Sequence, residues 1–491
     1  MNNNDLKLIL NTQASLIVVE TWDETRSVDL LQNFFRNASL PAWRWSVTEG
    51  LFPLGFGLEL ANPEQYAEPE NVLRYIKEYR KPGAFVLCDL HPFLETPKII
   101  RLLKDIALSY SQSQHKLVLV SHRLQLPPEL SRLAVSVSLS MPSEDEILGI
   151  IREQARIWGD KNRKAKIKTD NQTLQKLVNN LKGLPHQDVR RLAYGAIADD
   201  GAITEDDLPE VTKAKFALMN MEGVLHFEYS TAHLRDVAGL YTLKKWLENR
   251  REALSSEDSK LDPPKGVLLF GVQGGGKSLA AKAIAGVWGL PLLRLDMAAL
   301  FNKYIGETER NLREALKLAD LMSPCVLWLD EIEKGMADGS DDSGMPKRLL
   351  GTLLTWMAER KSRVFMVATS NDISQLPPEL MRKGRFDEIF FVDLPDSQTR
   401  YSIFSIHLEK RELEPAHFNL DALAQLSDGF TGAEIEQAVV SATYSAAARG
   451  RDICDELLQE AIQQTQPLSV VMAERMDELR AWAKERAVRA N

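Results

Sequence analysis

One stretch of this sequence is built to hold phosphate. Gly271-Val272-Gln273-Gly274-Gly275-Gly276-Lys277-Ser278 follows the apolar run Gly266–Phe270 and precedes a helical stretch that opens at Leu279. The pattern is G-x-x-x-x-G-K-[ST] in its strand–loop–helix setting. Glycines at 271, 274, 275 and 276 permit backbone angles that turn several N–H groups toward one point, and the helix N-terminus adds a favourable partial charge. Lys277 is expected to reach the β and γ phosphates of a nucleotide, and Ser278 to hold Mg2+. A second run, Val326–Leu329, ends in Asp330-Glu331. Alone, a strand ending in two acids is more often a solvated turn. Beside a phosphate loop, at the carboxyl edge of a parallel sheet, Asp330 is expected to act on Mg2+ and Glu331 to polarise the attacking water. Asn371 closes the next apolar run. It is read as a hydrogen-bond partner of the γ phosphate or that water, with an Asx turn as its alternative.

Positioning these groups takes a sheet. Short apolar runs alternate with helical stretches twice along the chain: 15–19, 84–88 and 116–120, then 266–270, 292–295, 325–329, 364–368 and 389–392. Unbroken apolar strands between helices predict α/β architecture with a parallel sheet covered on both faces. The halves also share sequence. Gln125–Leu130 (QLPPEL) recurs at Gln375–Leu380, AFVLCDL around Asp89 parallels CVLWLDE around Asp330, and LKGLPHQDVRRLA loosely parallels SDGFTGAEIEQAV. Three ordered matches predict a duplicated domain; an unrelated α/β domain is the alternative. If residues 1–200 are such a copy, they have lost the chemistry. Glu20-Thr21-Trp22-Asp23-Glu24 stands where the phosphate loop should be, Leu90 follows Asp89, and Ser121-His122-Arg123 replaces Thr369-Ser370-Asn371. His122 and Arg123 are read there as a solvated strand end rather than a site.

Composition narrows the partners. The 491 residues carry 60 Lys+Arg against 69 Asp+Glu, a net charge of −9, which argues against general nucleic-acid binding. Three dispersed cysteines exclude a disulfide framework, no apolar run is long enough to span a membrane, and the N-terminus lacks targeting features, so a cytoplasmic protein is expected. H-E-x-x-H is absent, which excludes a fused zinc peptidase of that type.

Together these residues resemble the AAA family of P-loop ATPases over about residues 232–450. The resemblance implies ATP and Mg2+ as ligands. Asp236-Val237-Ala238 resembles the adenine-contacting start of the family, Ile406-His407-Leu408 the lid segment near the adenosine, and Gly429–Ala433 the lid-helix start at which Gly432 and Ala433 contact nucleotide. Ala433 stands where other clades place a sensing arginine, so none is assigned. Arg382-Lys383-Gly384-Arg385 resembles the region whose two arginines act on a neighbour's nucleotide, which implies a homo-oligomeric ring, usually a hexamer. Tyr304-Ile305-Gly306 resembles the pore loop of members that thread a protein client, and Gly335–Pro346 is a candidate second pore element.

The chain as a whole is similar to AAA proteins of cyanobacteria, other bacteria and algal plastids named for a hypothetical chloroplast reading frame. The implied organisation is a degenerate AAA-like α/β domain (1–200), a linker or inter-domain helix (201–231), a large ATPase subdomain (232–397), a helical lid (398–465) and a C-terminal helix (466–491) whose mixed charge reads as a solvated face or as docking onto a neighbouring lid. The expected activity is that of a Mg-ATP-dependent protein remodeller or unfoldase. The alternatives are an ATP-driven assembly switch or scaffold without threading and, less favoured, a nucleic-acid-coupled ATPase.

Overall fold

Val267, Leu268, Leu269 and Phe270 are all buried, and the same holds for 84–87, 117–120 and 325–329. Successive strand side chains point to opposite faces, so such runs need apolar cover on both sides of a sheet. The computed structural model supplies that cover. It describes residues 14–55, 62–122, 124, 126–139, 141–162, 167–219, 224–229, 236–255, 261–297, 300, 307–335, 345–382 and 384–491. The chain forms two compact units that part between Leu208 and Pro209.

The first unit holds β1 (Leu16–Glu20), β2 (Ala42–Ser46), β3 (Gly50–Pro53), β4 (Gly83–Cys88), β5 (His115–Ser121) and β6 (Ala134–Ser138) in the order β3-β2-β4-β5-β1-β6. All neighbours run parallel except β3, which is antiparallel to β2. Leu16 and Val18 face one apolar cluster, Ile17 and Val19 the other. A helical segment follows, its helices Glu144–Lys161, Asn171–Leu181 and His186–Ala198 joined by the short ladder of β7 (Lys168–Thr169) with β8 (Ala202–Ile203).

The second unit repeats this order. Its strands are β9 (Leu225–Glu228), β10 (Gly266–Gly271), β11 (Leu292–Leu295), β12 (Cys325–Leu329), β13 (Val364–Ser370), β14 (Glu388–Val392) and β15 (Val488–Arg489), ordered β15-β14-β10-β13-β12-β11-β9. β9 alone is antiparallel. The parallel series β14-β10-β13-β12-β11 matches β6-β1-β5-β4-β2 strand for strand, and each ends on an antiparallel edge strand. The first strand of each set sits inside the sheet, so the carboxyl ends of β10, β12 and β13, and of β1, β4 and β5, share one edge. The stretch 201–231, read from sequence as linker or helix, contains the helix Leu208–Leu218 and the sheet strand β9.

A helical subdomain follows β14. Its helices Ser397–Glu409, Leu420–Leu426, Gly432–Ala448 and Asp455–Gln463 close over Phe404, Leu408, Leu423, Ile435, Val439 and Leu458. The helix Ala473–Arg486 then returns to the sheet. Leu479 and Ala483 join the sheet core, and Trp482 packs edge-on against Phe270 with ring centroids 5.0 Å apart. The tail thus docks on its own sheet and ends in β15, a parallel partner of Phe390 and Phe391. Its arginines are not merely solvated: Arg475 pairs with Asp372, and Arg480 with Asp393 at 2.9 Å. No helix among the described residues is long and apolar enough to cross a membrane.

Candidate functional site

The phosphate loop begins where β10 meets β14. A Cβ on Gly271 (φ +145°) would lie 2.0 Å from the carbonyl oxygen of Val392, so only glycine lets the two backbones approach this closely. Gly276 (φ +92°) starts the helix Lys277–Trp288, and no side chain caps that helix. The first N–H groups of a helix have no intrahelical acceptor, so this end is open to an anion. Lys277 is 6% exposed, and its Nζ donates to the carbonyls of Gly271 (3.0 Å) and Val272 (2.8 Å). Burial pushes the ammonium down to about 8, against the opposing pull of Glu333, Asp330 and Glu331.

Adjacent strands supply the acids. Asp330 follows β12, and its Oδ1 accepts from Thr369 Oγ1 at 2.6 Å and lies 3.4 Å from Ser278 Oγ. Glu331 takes a left-handed backbone (φ +47°), with its N–H donating to Thr369 Oγ1 at 3.1 Å. Its Oε1 accepts from Asn371 Nδ2 at 2.9 Å, and its Oε2 is paired with Lys334 at 2.5 Å. The Asn371 N–H donates to the buried Glu333. The other wall is the helical subdomain. Thr431 caps the helix Gly432–Ala448 through a reciprocal pair with Glu434, and the Ala433 N–H reaches the carbonyl of Gly274 at 3.3 Å. On the helix Ser397–Glu409, His407 Nδ1 lies 3.6 Å from Glu436. Burial lowers the His407 pKa, and Glu436 opposes the shift.

These walls enclose a cleft of about 560 Å³. Asp236, Val237, Ala238, Gly274, Gly275, Gly276, Lys277, Ser278, Leu279, Asp330, Glu331, Asn371, His407, Gly432 and Ala433 all line it. Gly271 is absent from the lining; it packs against Val392 and offers its carbonyl to Lys277. Arg382 and Arg385 stand outside the cleft as well. Arg382 is exposed, and Arg385 donates to the Glu379 carbonyl. Tyr304, Ile305 and most of the 335–346 loop lie outside the described residues. The donor set suits a magnesium triphosphate: an uncapped helix end, a buried ammonium donating to two carbonyls, and a hydroxyl and a carboxylate 3.4 Å apart.

Comparison with known sequences agrees with this geometry. The description "ATPase family associated with various cellular activities (AAA)" matches residues 267–394, and "AAA+ lid domain" matches 417–461. "SpoVK-like AAA ATPase, N-terminal domain" covers 2–139, and the second domain of that type covers 145–222. An uncharacterized AAA domain-containing protein, ycf46, of Pyropia yezoensis is 35% identical over 490 residues, 98% of this chain and 97% of its own. The ycf46 protein of Guillardia theta is 34% identical over 495 residues, 99% and 95% of the two chains. The chain belongs to the AAA family. Over a shorter span, 39% of this AAA chain and 48% of the relative, it is 39% identical to a proteasome-activating nucleotidase of Aeropyrum pernix.

Sequence reasoning missed several lining groups of this AAA protein. Thr369 was available as a signal: it is a hydroxyl at the end of an otherwise apolar strand beside the one that delivers Asp330. Lys410 lies one turn beyond His407 on the same helix end and also lines the cleft. Asn491 had no local signal. Its Oδ1 accepts from the Leu240 N–H at 2.5 Å, and the Ala490 carbonyl accepts from Thr242 and Leu243. The tail thereby fixes the 236–240 segment from the far end of the chain.

Proposed function

We propose that this AAA protein hydrolyses Mg-ATP and works as a homo-oligomeric ring, a hexamer, that remodels a protein client. The observation that carries the reading is the placement of charge. One cleft gathers a buried ammonium, an open helix end, two acids and an amide, while Arg382 and Arg385 stand outside it. Lys277 and the helix N-terminus hold the phosphates. Ser278 and Asp330 would hold Mg2+, which would supply charge neutralisation to the phosphates. Thr369 fixes the rotamer of Asp330 and the backbone of Glu331. Glu331 accepts a proton from the attacking water, and Asn371 orients that carboxylate. Val237, Ala238 and His407 border the nucleoside end.

A guanidinium that stabilises charge on the transferred phosphoryl group must reach it, and neither arginine lines its own cleft. A neighbouring subunit therefore receives them. The likeness to a proteasome-activating nucleotidase supports a protein client, gripped by Tyr304 and Ile305 in the pore. The test is Glu331→Gln. The variant keeps nucleotide affinity and loses turnover by about 10²–10⁴-fold, measured by nucleotide titration and phosphate release. Unchanged turnover would remove Glu331 from the chemistry.

A further inference from the structure

The first sheet carries a site at the same edge. In the second sheet Leu329 pairs with Ala368, so Asp330 and Thr369 follow side by side; in the first, Cys88 pairs with Val120, so Asp89 and Ser121 do. The equivalent groups make the same bond. Thr369 Oγ1 donates to Asp330 Oδ1, and Ser121 Oγ donates to Asp89 Oδ1 at 3.1 Å. The next positions differ. His91 stands two residues past Asp89, with Nδ1 2.8 Å from the same Ser121 Oγ, and His122 follows Ser121. The His91 and His122 rings are 5.0 Å apart between centroids, and Trp22 lies 4.7 Å from His122.

We propose that Asp89, His91 and His122 form a divalent transition-metal site, filled by Zn2+, at the carboxyl edge of the first sheet. One ring nitrogen from each imidazole and one carboxylate oxygen lie within 4.8 Å of one another. Tetrahedral zinc with bonds of ~2.0–2.1 Å sets its ligands about 3.3 Å apart. Closing that gap takes rotamer adjustment of three solvent-reaching side chains, not movement of the sheet. Ser121 supplies the outer support. Its hydroxyl donates to Asp89 Oδ1 and lies 2.8 Å from His91 Nδ1, itself 3.6 Å from that carboxylate oxygen, so it orients both side chains. Asp89 is held at φ +50°, and the Asp89 and Thr21 N–H groups are bonded to the Val120 and Ser121 carbonyls, so the frame is fixed beforehand. Two imidazoles change the ion preferred. Oxygen-only ligation suits Mg2+, whereas imidazole selects zinc and its neighbours. Three protein ligands leave the fourth position to water or a partner's side chain.

The test is equilibrium dialysis of the tag-free full chain against Zn2+ in excess Mg2+, with elemental analysis, repeated with Co2+ and visible spectroscopy. One Zn2+ binds per chain, and Lys277→Met leaves that stoichiometry unchanged. His122→Ala, at an exposed position, abolishes the Co2+ bands. Asp89→Asn keeps a residue tolerant of the left-handed backbone and also loses the ion. Ser121→Ala weakens binding by ~10–100-fold. No bound Zn2+, equal binding by His122→Ala and Asp89→Asn, or loss of the ion in Lys277→Met would each overturn the proposal.

Discussion

Lys277 makes nucleotide binding depend on pH in a calculable way. Burial holds its ammonium at about 8 rather than the usual 10.5, and its partners in the folded chain are two neutral carbonyls. The shift corresponds to a cost of about 3 kcal/mol for keeping the charge in the empty cleft. That cost is fully present below pH 8 and fades as pH rises from 8 toward 10.5, where the folded chain has released the proton and the unfolded chain has not. Phosphate oxygens raise the pKa again, so the nucleotide-bound form keeps its proton across this range. With a pKa of about 8, roughly nine-tenths of empty sites are protonated at pH 7 and roughly one-tenth at pH 9. ADP affinity therefore falls about tenfold from pH 7 to pH 9, and binding at pH 8 takes up about half a proton. Calorimetry in two buffers of different ionisation enthalpy reads both quantities. Lys277→Arg stays charged throughout and flattens the profile, which separates the lysine from titration of the nucleotide. Equal affinity at pH 7 and 9 in the native chain, with no proton uptake at pH 8, would refute the argument.

Three further outcomes concern the arginine and the tail. Arg385→Ala retains nucleotide affinity and loses ~10³-fold in turnover; mixing it with Glu331→Gln subunits restores phosphate release, because each supplies what the other lacks. Failure to restore would place the arginine on its own subunit's nucleotide. Leu479→Ala lowers stability by ~2–5 kcal/mol in chemical denaturation, and Asn491→Ala, which frees the Leu240 N–H, weakens nucleotide binding by about 1 kcal/mol in the same calorimetric titration.

Local pattern carried the chemistry that depends on neighbours in sequence. The glycine loop with Lys277 and Ser278 is one continuous stretch, and Asp330-Glu331 and Asn371 each close an apolar run, so strand ends could be read before the strand order was known. The lid contact at Gly432 and Ala433 came from the resemblance of Gly429–Ala433 to a lid-helix start; the Thr431–Glu434 capping box that opens that helix emerged from the structure. What escaped was set by register or by distance along the chain. Nothing local says that Thr369 lies beside Asp330; that follows only once Leu329 pairs with Ala368. Nothing local sends Trp482 to Phe270 or Asn491 to Leu240, contacts that bridge more than half the second unit. His122 was read as a solvated strand end for the same reason. Its exposure is real, but its neighbours His91 and Trp22 come from the segments that follow β4 and β1.

The two sheets share a strand order and differ in what stands at the carboxyl edge. After β10 the helix opens on Gly276 with no side-chain cap, and the anion seat stays free. After β1 the helix Glu24–Asn37 opens on Asp23, whose Oδ1 accepts the Arg26 N–H at 3.2 Å. Asp23 is 6% exposed, so a carboxylate of the chain itself sits where a phosphate would have to go, and its charge repels one. Glu20, at the end of β1, is spent on the Leu124 N–H. The carboxylate–hydroxyl pair of Asp89 and Ser121 is held by sheet register and not by that loop. With no phosphate seat beside them, the proposed metal site takes its further ligands from His91 and His122.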